Sequence, residues 1–226
     1  MIKLIVFDLC STLVPATIDF VRLASIARHE HKSLSEFIQR YELATQLKKY
    51  NNFDELKKDF FDAFNWESKE LLERELDEVY NNRFDKIRFF PEVEKNLMEL
   101  RKKGYKLALL SNTESIGIKL VEDKLRLKNF FDLLEYSFEV GAVKPNPVMF
   151  NSVLKKMNVS PEESLMVGDS LRRDVVGAQN IGMHGCLLNR KNEIFDSSLG
   201  VKPEFEIKSL SELRRVLGVL NAESKD

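Results

Sequence analysis

The sequence predicts an α/β fold, in which a parallel β-sheet is interrupted after its first strand by an all-helical insert. Short apolar runs each stop at a polar residue, which is typical of buried parallel strands. Stretches with helical periodicity separate these runs, as crossover connections between parallel strands require. A long block near the N-terminus shows helical periodicity and no clear strand, which indicates the insert.

Five runs are predicted to be strands of this sheet. They cover residues 2–7, 106–110, 136–138, 165–167 and 184–188, and the third is the weakest candidate. Asp8 follows the first run directly, Ser111 and Asn112 follow the second, and Asp169 lies just beyond the fourth. Because the carboxyl ends of parallel strands meet at one edge of a sheet, these polar residues are expected to lie together.

Three helices are predicted in the same part of the chain, at 92–103, 146–157 and 210–217. The residues expected to face inward are Val93, Leu97 and Leu100 in the first and Val148, Phe150, Val153 and Leu154 in the second. Gly104 acts as a stop signal, and Pro147 suits a first helical turn, where its missing N–H costs little. The end of the chain, from residue 221 to 226, is expected to fray.

The insert is predicted to be a bundle of four helices, each with one apolar face. Its apolar positions are Phe20, Leu23, Ala24 and Ala27; Leu34, Phe37, Ile38 and Tyr41; Phe53, Leu56, Phe60, Phe61 and Phe64; and Leu71, Leu72, Leu76, Val79 and Tyr80. Trp66 is expected in its core, and His29 and His31 on its surface. Residues 1–14 and 90–226 would form the core domain and residues 15–89 a cap over the strand ends.

The charge balance argues against several classes of partner. The 35 basic and 36 acidic residues nearly cancel, so no overall field attracts nucleic acid or an anionic membrane. No stretch approaches the ~18 apolar residues of a spanning helix, and no signal peptide is recognisable. We therefore expect a cytoplasmic protein with a small-molecule substrate, whereas its oligomeric state is open.

The residues at the strand ends form a coherent chemical set. The carboxylate of Asp8 can act as a nucleophile, and Asp8, Asp169 and Asp174 could hold Mg²⁺, which prefers carboxylate oxygens. Lys144, in the loop after the third strand, would add a positive charge beside Asp8. Ser111 would donate a hydrogen bond to a phosphoryl oxygen, and the chain after it is expected to enter a helix whose first N–H groups favour an anion.

Four short motifs that contain these residues follow one another along the chain in the order typical of a known protein family. They are residues 8–13 (Asp-Leu-Cys-Ser-Thr-Leu), 110–112 (Leu-Ser-Asn), 144–145 (Lys-Pro) and 168–174 (Gly-Asp-Ser-Leu-Arg-Arg-Asp). The chain thereby resembles the haloacid dehalogenase (HAD) superfamily with a C1-type cap, which implies a Rossmann-like core, an aspartyl-enzyme intermediate and usually Mg²⁺.

The resemblance also implies a role for each matching residue. Asp8 would be the nucleophile, Ser111 the phosphoryl ligand and Lys144 the electrostatic partner, with Asn112 and Thr12 also binding substrate. Asp169 would be a metal ligand, Asp174 a second ligand or an outer-shell acid, and the backbone carbonyl of Cys10 a further ligand.

Cys10 departs from the family pattern, since phosphatases of this family usually carry a second Asp there as acid and base. A thiol, with an ordinary pKa of about 8.5, is a poor base for water, and losing this step could cost about 10²–10⁴ in rate. We therefore predict a slow metal-dependent phosphohydrolase acting on a small phosphate ester. The alternatives are a 2-haloacid dehalogenase or phosphonatase-like hydrolase, and a catalytically impaired binding protein. Family dehalogenases lack the Gly168-Asp169 pair retained here.

Overall fold

A computed structural model of the chain describes residues 1–16, 18, 20–26, 33–64, 69–82, 87–192 and 202–223. Six strands in these ranges form one sheet with the order β3-β2-β1-β4-β5-β6, and every neighbouring pair is parallel. The strands are β1 Leu4–Phe7, β2 Lys106–Ser111, β3 Leu133–Tyr136, β4 Ser164–Gly168, β5 His184–Leu188 and β6 Phe205–Ile207. This confirms the predicted α/β fold with a parallel sheet.

Helices connect the strands and cover both faces of the sheet. They are α5 Val93–Lys102, α6 Ile118–Leu125, α7 Ser137–Val140, α8 Pro147–Met157, a π-helical segment Leu171–Val176 that continues into α9 Gly177–Gln179, and α10 Leu213–Glu223. Successive residues of β1 point to opposite faces, so Ile5 packs in one apolar cluster and Val6 in the other. None of the described helices is both long and apolar enough to cross a bilayer.

Four helices lie between β1 and α5: α1 Phe20–Ile26, α2 Leu34–Thr45, α3 Phe53–Phe64 and α4 Lys69–Asn82. They share an apolar cluster of their own, in which Phe37, Tyr41 and Phe60 are fully buried. Leu34, predicted on the buried face, is instead 41% exposed, because it starts the first turn of α2. Ala27, His29, His31, Trp66 and the side chains of Leu71 and Leu72 lie outside the described part of the chain.

Two predicted elements differ from the structure in their limits. β3 ends at Tyr136, and the residues predicted to continue it form α7 instead. Phe138 there stacks on Tyr136 with ring centroids 5.5 Å apart, so its apolar side chain is buried by a helical turn rather than by a strand. In α8 the prediction is wrong for Val148, which is 52% exposed, and Met149 is buried instead. Phe150, Val153 and Leu154 are buried as predicted.

The C-terminal part also corrects the sequence-based expectations. β6 has only three residues at the sheet edge, too few to show a strand pattern. The helix expected to end at residue 217 runs to Glu223, so fraying from residue 221 is wrong for residues 221–223. Asn221 fixes this end, because its side chain accepts from the Ile2 N–H at 2.8 Å and donates to the Tyr105 hydroxyl at 3.0 Å.

Candidate active site

The centre of the site is a buried ammonium group between two carboxylates. Lys144 Nζ donates to Asp8 Oδ1 and to Asp174 Oδ1, each at 2.7 Å, and to the Leu110 carbonyl at 2.8 Å. The Lys144 side chain is 1% exposed, and those of Asp8 and Asp174 are 11% and 2% exposed. All three hydrogen bonds of the ammonium are therefore satisfied inside the protein.

The sheet brings these groups together from distant parts of the sequence. Asp8 extends β1 by one residue, and its N–H donates to the Val167 carbonyl of β4 at 3.0 Å. Asn112, just beyond β2, clamps the Lys144 backbone: its side chain accepts from the Lys144 N–H at 2.7 Å and donates to the Lys144 carbonyl at 3.2 Å. Substrate binding by Asn112 stays a prediction, and the structure shows that its side chain holds the Lys144 backbone in place.

Asp174 is fixed by its own loop as well as by Lys144. Its second oxygen, Oδ2, accepts from the Ser170 N–H at 3.0 Å. Gly168 permits this approach, because a Cβ on that residue would lie 2.3 Å from Asp174 Oδ2. The glycine at the end of β4 is therefore a packing requirement of the site.

Asp169 completes a group of three carboxylates. Ligand oxygens of Asp8, Asp169 and Asp174 all lie within 4.8 Å of one another. Burial, together with the charges of Asp8 and Asp174, raises the pKa of Asp169 to about 7. Carboxylates this close repel one another, so the arrangement favours a cation among them.

The pKa values of Asp8 and Lys144 reflect burial, which disfavours the charged forms, and the opposite charges of their neighbours, which favour them. Burial raises the pKa of Asp8, and the neighbouring Lys144 ammonium opposes that rise. Burial alone would lower the pKa of Lys144, but Asp174 and Asp8 more than compensate, so its pKa lies above the ordinary value. Lys144 therefore stays charged across the physiological range and favours the ionised form of Asp8.

A cavity of about 250 Å³ opens onto these groups between the sheet edge and the helical insert. Six of the predicted site residues line this cavity: Asp8, Cys10, Asn112, Lys144, Asp169 and Asp174. Cys10 is partly buried, lines the same cavity and forms no disulfide, and Cys186 is core, as predicted. A metal-binding role for the Cys10 backbone carbonyl stays a prediction.

Two predicted ligands are not among the residues that line this cavity. Ser111 is buried, and its hydroxyl lies 3.5 Å from the Asn112 carbonyl. Thr12 is fully buried, and its carbonyl accepts from Arg190 Nη2 at 2.8 Å. Their contacts with substrate stay predictions.

The prediction of a helix directly after Ser111 is wrong, because α6 begins only at Ile118. The intervening segment is held instead to α7, where the Thr113 N–H donates to Ser137 Oγ at 3.0 Å and Ser137 Oγ donates back to the Thr113 carbonyl. The first N–H groups of α6 thus do not follow Ser111 directly.

Several polar residues of the cavity were missed by sequence reasoning. Glu42 comes from the C-terminal half of α2 and Gln46 caps the end of that helix, whereas Glu114 and Arg173 come from the sheet side. Arg173 Nη1 lies 3.5 Å from Glu42 Oε1, which joins the insert to the core across the cavity. The available signal was helical spacing, since Glu42 follows Ile38 by four residues and so shares its inward face.

The parallel sheet and the carboxylate–lysine site at its edge define a hydrolase of the haloacid dehalogenase type. The family model of haloacid dehalogenase-like hydrolases matches residues 2–182, and the chain belongs to this family. It is 34% identical over 239 positions to glyceraldehyde 3-phosphate phosphatase of Pyrococcus furiosus, covering 99% of this chain and 95% of that one.

Two solved structures extend the comparison. A HAD phosphatase from Thermococcus onnurineus matches with a TM-score of 0.64 at 28% identity, covering 96% of this chain and 98% of that one. A 2-haloacid dehalogenase from Pseudomonas syringae matches with a TM-score of 0.66 at 25% identity, covering 96% and 99%. The overall fold is thus shared by both kinds of hydrolase, and the site must separate them.

Proposed function

We propose that this protein is a metal-dependent phosphohydrolase that cleaves small phosphate esters through an aspartyl-phosphate on Asp8. The observation that carries the proposal is the convergence of Asp8, Asp169 and Asp174 beside Lys144 in one cavity. Displacement of a halide from carbon has no need of a three-carboxylate cation site, whereas a phosphate dianion needs positive charge near a carboxylate nucleophile. The similarity to a glyceraldehyde 3-phosphate phosphatase supports this choice.

The donor set fits Mg²⁺. Three carboxylates within 4.8 Å of one another offer only oxygen ligands, which this hard cation prefers. The raised pKa of Asp169 reflects its burial and also the negative charges of Asp8 and Asp174, which a cation would offset. The ion would be held by Asp8, Asp169 and the Cys10 backbone carbonyl. Asp174 would either supply a further ligand oxygen or lie just outside the ligands. When bound, the ion would neutralise charge on the phosphoryl group and orient it.

The protein groups divide the chemistry among themselves. An Asp8 carboxylate oxygen forms a bond to phosphorus while the ester P–O bond breaks, and the departing alcohol takes a proton from the Cys10 thiol. Water then attacks the phosphorus of the aspartyl-phosphate and passes a proton back to Cys10, while the bond between Asp8 and phosphorus breaks, which releases phosphate and restores the Asp8 carboxylate. Lys144 holds Asp8 ionised and in position, and Asp174 holds Lys144. Ser111 would donate a hydrogen bond to a phosphoryl oxygen.

Cys10 sets the expected speed. It lines the cavity two residues after the nucleophile, where an acid would protonate the alcohol and then activate water. A thiol can donate a proton but is a weak base, so turnover would be slower by up to about 10²–10⁴ than with a carboxylate. Residues 15–89 would act as the cap of the core formed by 1–14 and 90–226, because the cavity lies between them. A cytoplasmic location stays a prediction.

The test is hydrolysis of an aryl phosphate with Mg²⁺ by the wild type and by Asp8→Asn, Cys10→Asp and Cys10→Ser. We expect slow wild-type turnover that chelation abolishes, none in Asp8→Asn, and at least a ~10-fold gain in Cys10→Asp. Cys10→Ser is the matched control, which removes the thiol without adding a base and should show no gain. Metal-independent release of halide from 2-haloacids, or an unchanged rate in Asp8→Asn, would contradict the proposal.

A further inference from the structure

The cavity has a second polar region, away from the nucleophile. Glu42 projects from α2, Gln46 from the C-terminal cap of that helix and Glu114 from the segment after β2, and all three line the cavity. Each is at most 8% exposed, so these polar side chains are almost completely removed from solvent. Gln46 Nε2 lies 3.5 Å from Glu114 Oε2, at the limit of a hydrogen bond. We call Glu42, Gln46 and Glu114 the acceptor subsite.

Gln46 is the residue that points to a ligand. It is 4% exposed, and its amide oxygen accepts no hydrogen bond from any residue that the structure describes. A buried acceptor without a donor is destabilising, because it has lost its hydrogen bonds to water and gained none in return. A donor supplied by a bound molecule would remove that cost, and the cavity places such a molecule next to Gln46.

The charges around the cavity restrict what that molecule carries. Among the described residues that line it, five are acidic and two are basic. The basic ones, Lys144 and Arg173, are both engaged: Lys144 bonds Asp8 and Asp174, and Arg173 pairs with Glu42 at 3.5 Å. A carboxylate on the substrate would face an excess of like charge here, whereas hydroxyl groups would find acceptors.

We propose that the acceptor subsite binds hydroxyl groups of the departing alcohol, so that the substrates are phosphate esters of short, uncharged polyols. The proposal rests on the proposed phosphohydrolase function and names its substrate class. The Gln46 amide oxygen and the carboxylates of Glu42 and Glu114 accept from hydroxyl donors, and bonds to carboxylates are the stronger ones. The cavity of about 250 Å³ lies below the ~300–1,000 Å³ typical of sites for drug-sized ligands, which fits a substrate of a few carbons.

Three matched esters test this preference. Glycerol 3-phosphate carries two hydroxyls, propyl phosphate carries none, and 3-phosphoglycerate replaces a terminal hydroxymethyl group with a carboxylate. We expect kcat/KM for glycerol 3-phosphate to exceed both others by at least ~10-fold, which corresponds to about 1.4 kcal/mol. Binding of their phosphonate analogues, in which a methylene replaces the bridging oxygen, is measured by calorimetry with Mg²⁺ and should follow the same order.

Two variants, one in α2 and one at its C-terminal cap, test whether the acceptor subsite causes the preference for glycerol 3-phosphate. Gln46→Met keeps the length of the side chain but removes the acceptor, so glycerol 3-phosphate should fall to the level of propyl phosphate. Gln39→Met makes the same change at an exposed position of the same helix and should leave the preference intact. Thermal unfolding followed by circular dichroism reports on the folding of both variants, and hydrolysis of an aryl phosphate should be unchanged in Gln39→Met.

The outcomes separate the two proposals. The acceptor subsite is refuted, while the phosphohydrolase stands, if the wild type hydrolyses all three esters equally or keeps its preference in Gln46→Met. The same holds if it prefers phosphoethanolamine, which carries an ammonium group in place of hydroxyls, to glycerol 3-phosphate. If no ester is hydrolysed but the dihydroxy phosphonate binds at least ~10-fold tighter and Gln46→Met abolishes this, the subsite stands and the phosphohydrolase fails. Absence of selective phosphonate binding refutes the subsite.

Discussion

Replacing Lys144 by Met would test the electrostatic centre of the site. The substitution keeps the chain length and apolar stem but removes three hydrogen bonds of 2.7–2.8 Å. Asp8 and Asp174 would remain as buried carboxylates without their cation. Removing one partner of a buried ion pair costs about 3–5 kcal/mol, so we expect the free energy of unfolding to fall by about that amount at neutral pH.

The loss of unfolding free energy in Lys144→Met should increase with pH. Without Lys144, nothing in that position opposes the rise that burial imposes on the pKa of Asp8, which would exceed its unfolded value of about 3.9. The folded variant then binds more protons than the unfolded chain. Its stability therefore increases as the pH falls and is lost as the pH rises through the folded pKa. The difference in stability from the wild type should therefore be larger at about pH 8 than at about pH 5.

Urea unfolding in a chelating buffer measures the effect, because chelation prevents a metal ion from replacing the lost charge. Lys119→Met is the matched control: it removes a Lys that pairs with Asp123 at 2.8 Å on the surface, where both side chains are more than half exposed. This control should barely shift the urea midpoint. Equal losses in the two variants, or a Lys144→Met loss that does not change with pH, would refute the reasoning.

Three further predictions concern neighbouring features. Gly168→Ala should cost about 1–3 kcal/mol and most of the phosphatase activity, since its Cβ would lie 2.3 Å from Asp174 Oδ2. Gly218→Ala meets no atom within 4 Å in α10, so thermal unfolding should show a gain of about 0.5–1 kcal/mol. Burial raises the pKa of Glu42, so wild-type stability relative to Glu42→Gln should decline as the pH rises through that pKa, measured by urea unfolding.

The sequence was most informative where the strands end. Parallel pairing forces the ends of β1 and β4 to one edge, so the meeting of Asp8 with Asp169 follows from strand assignment alone. Asp174 is brought to the same place by the π-helical segment after β4, which strand assignment does not predict. Lys144 was predicted beside Asp8 from the loop after the third strand and from the order of motifs, and the structure shows that its ammonium also contacts Asp174. Cys186 was assigned to the core because it lies inside a buried run, and it is fully buried.

Contacts across the cavity could not be deduced in this way. Helical periodicity placed α2 correctly but gave no orientation relative to the sheet, so the meeting of Glu42 with Arg173 was invisible. Local hydrogen bonds decided the path after Ser111, where Thr113 binds Ser137 across 24 residues of sequence. The three residues of β6 carry too short a pattern for any periodicity to emerge.

The order of strands also has a consequence for synthesis of the protein. β1 is translated first but lies between β2 and β4, and Leu4 pairs with Lys106 and Ser164. Lys144 lies 136 residues after Asp8, so at ~5–20 residues per second Asp8 is synthesised roughly 7–27 s before the residue with which it pairs. A nascent chain thus carries the Asp8 carboxylate early, and the group that it forms with Lys144, Asp169 and Asp174 can assemble only when the last third of the chain is made.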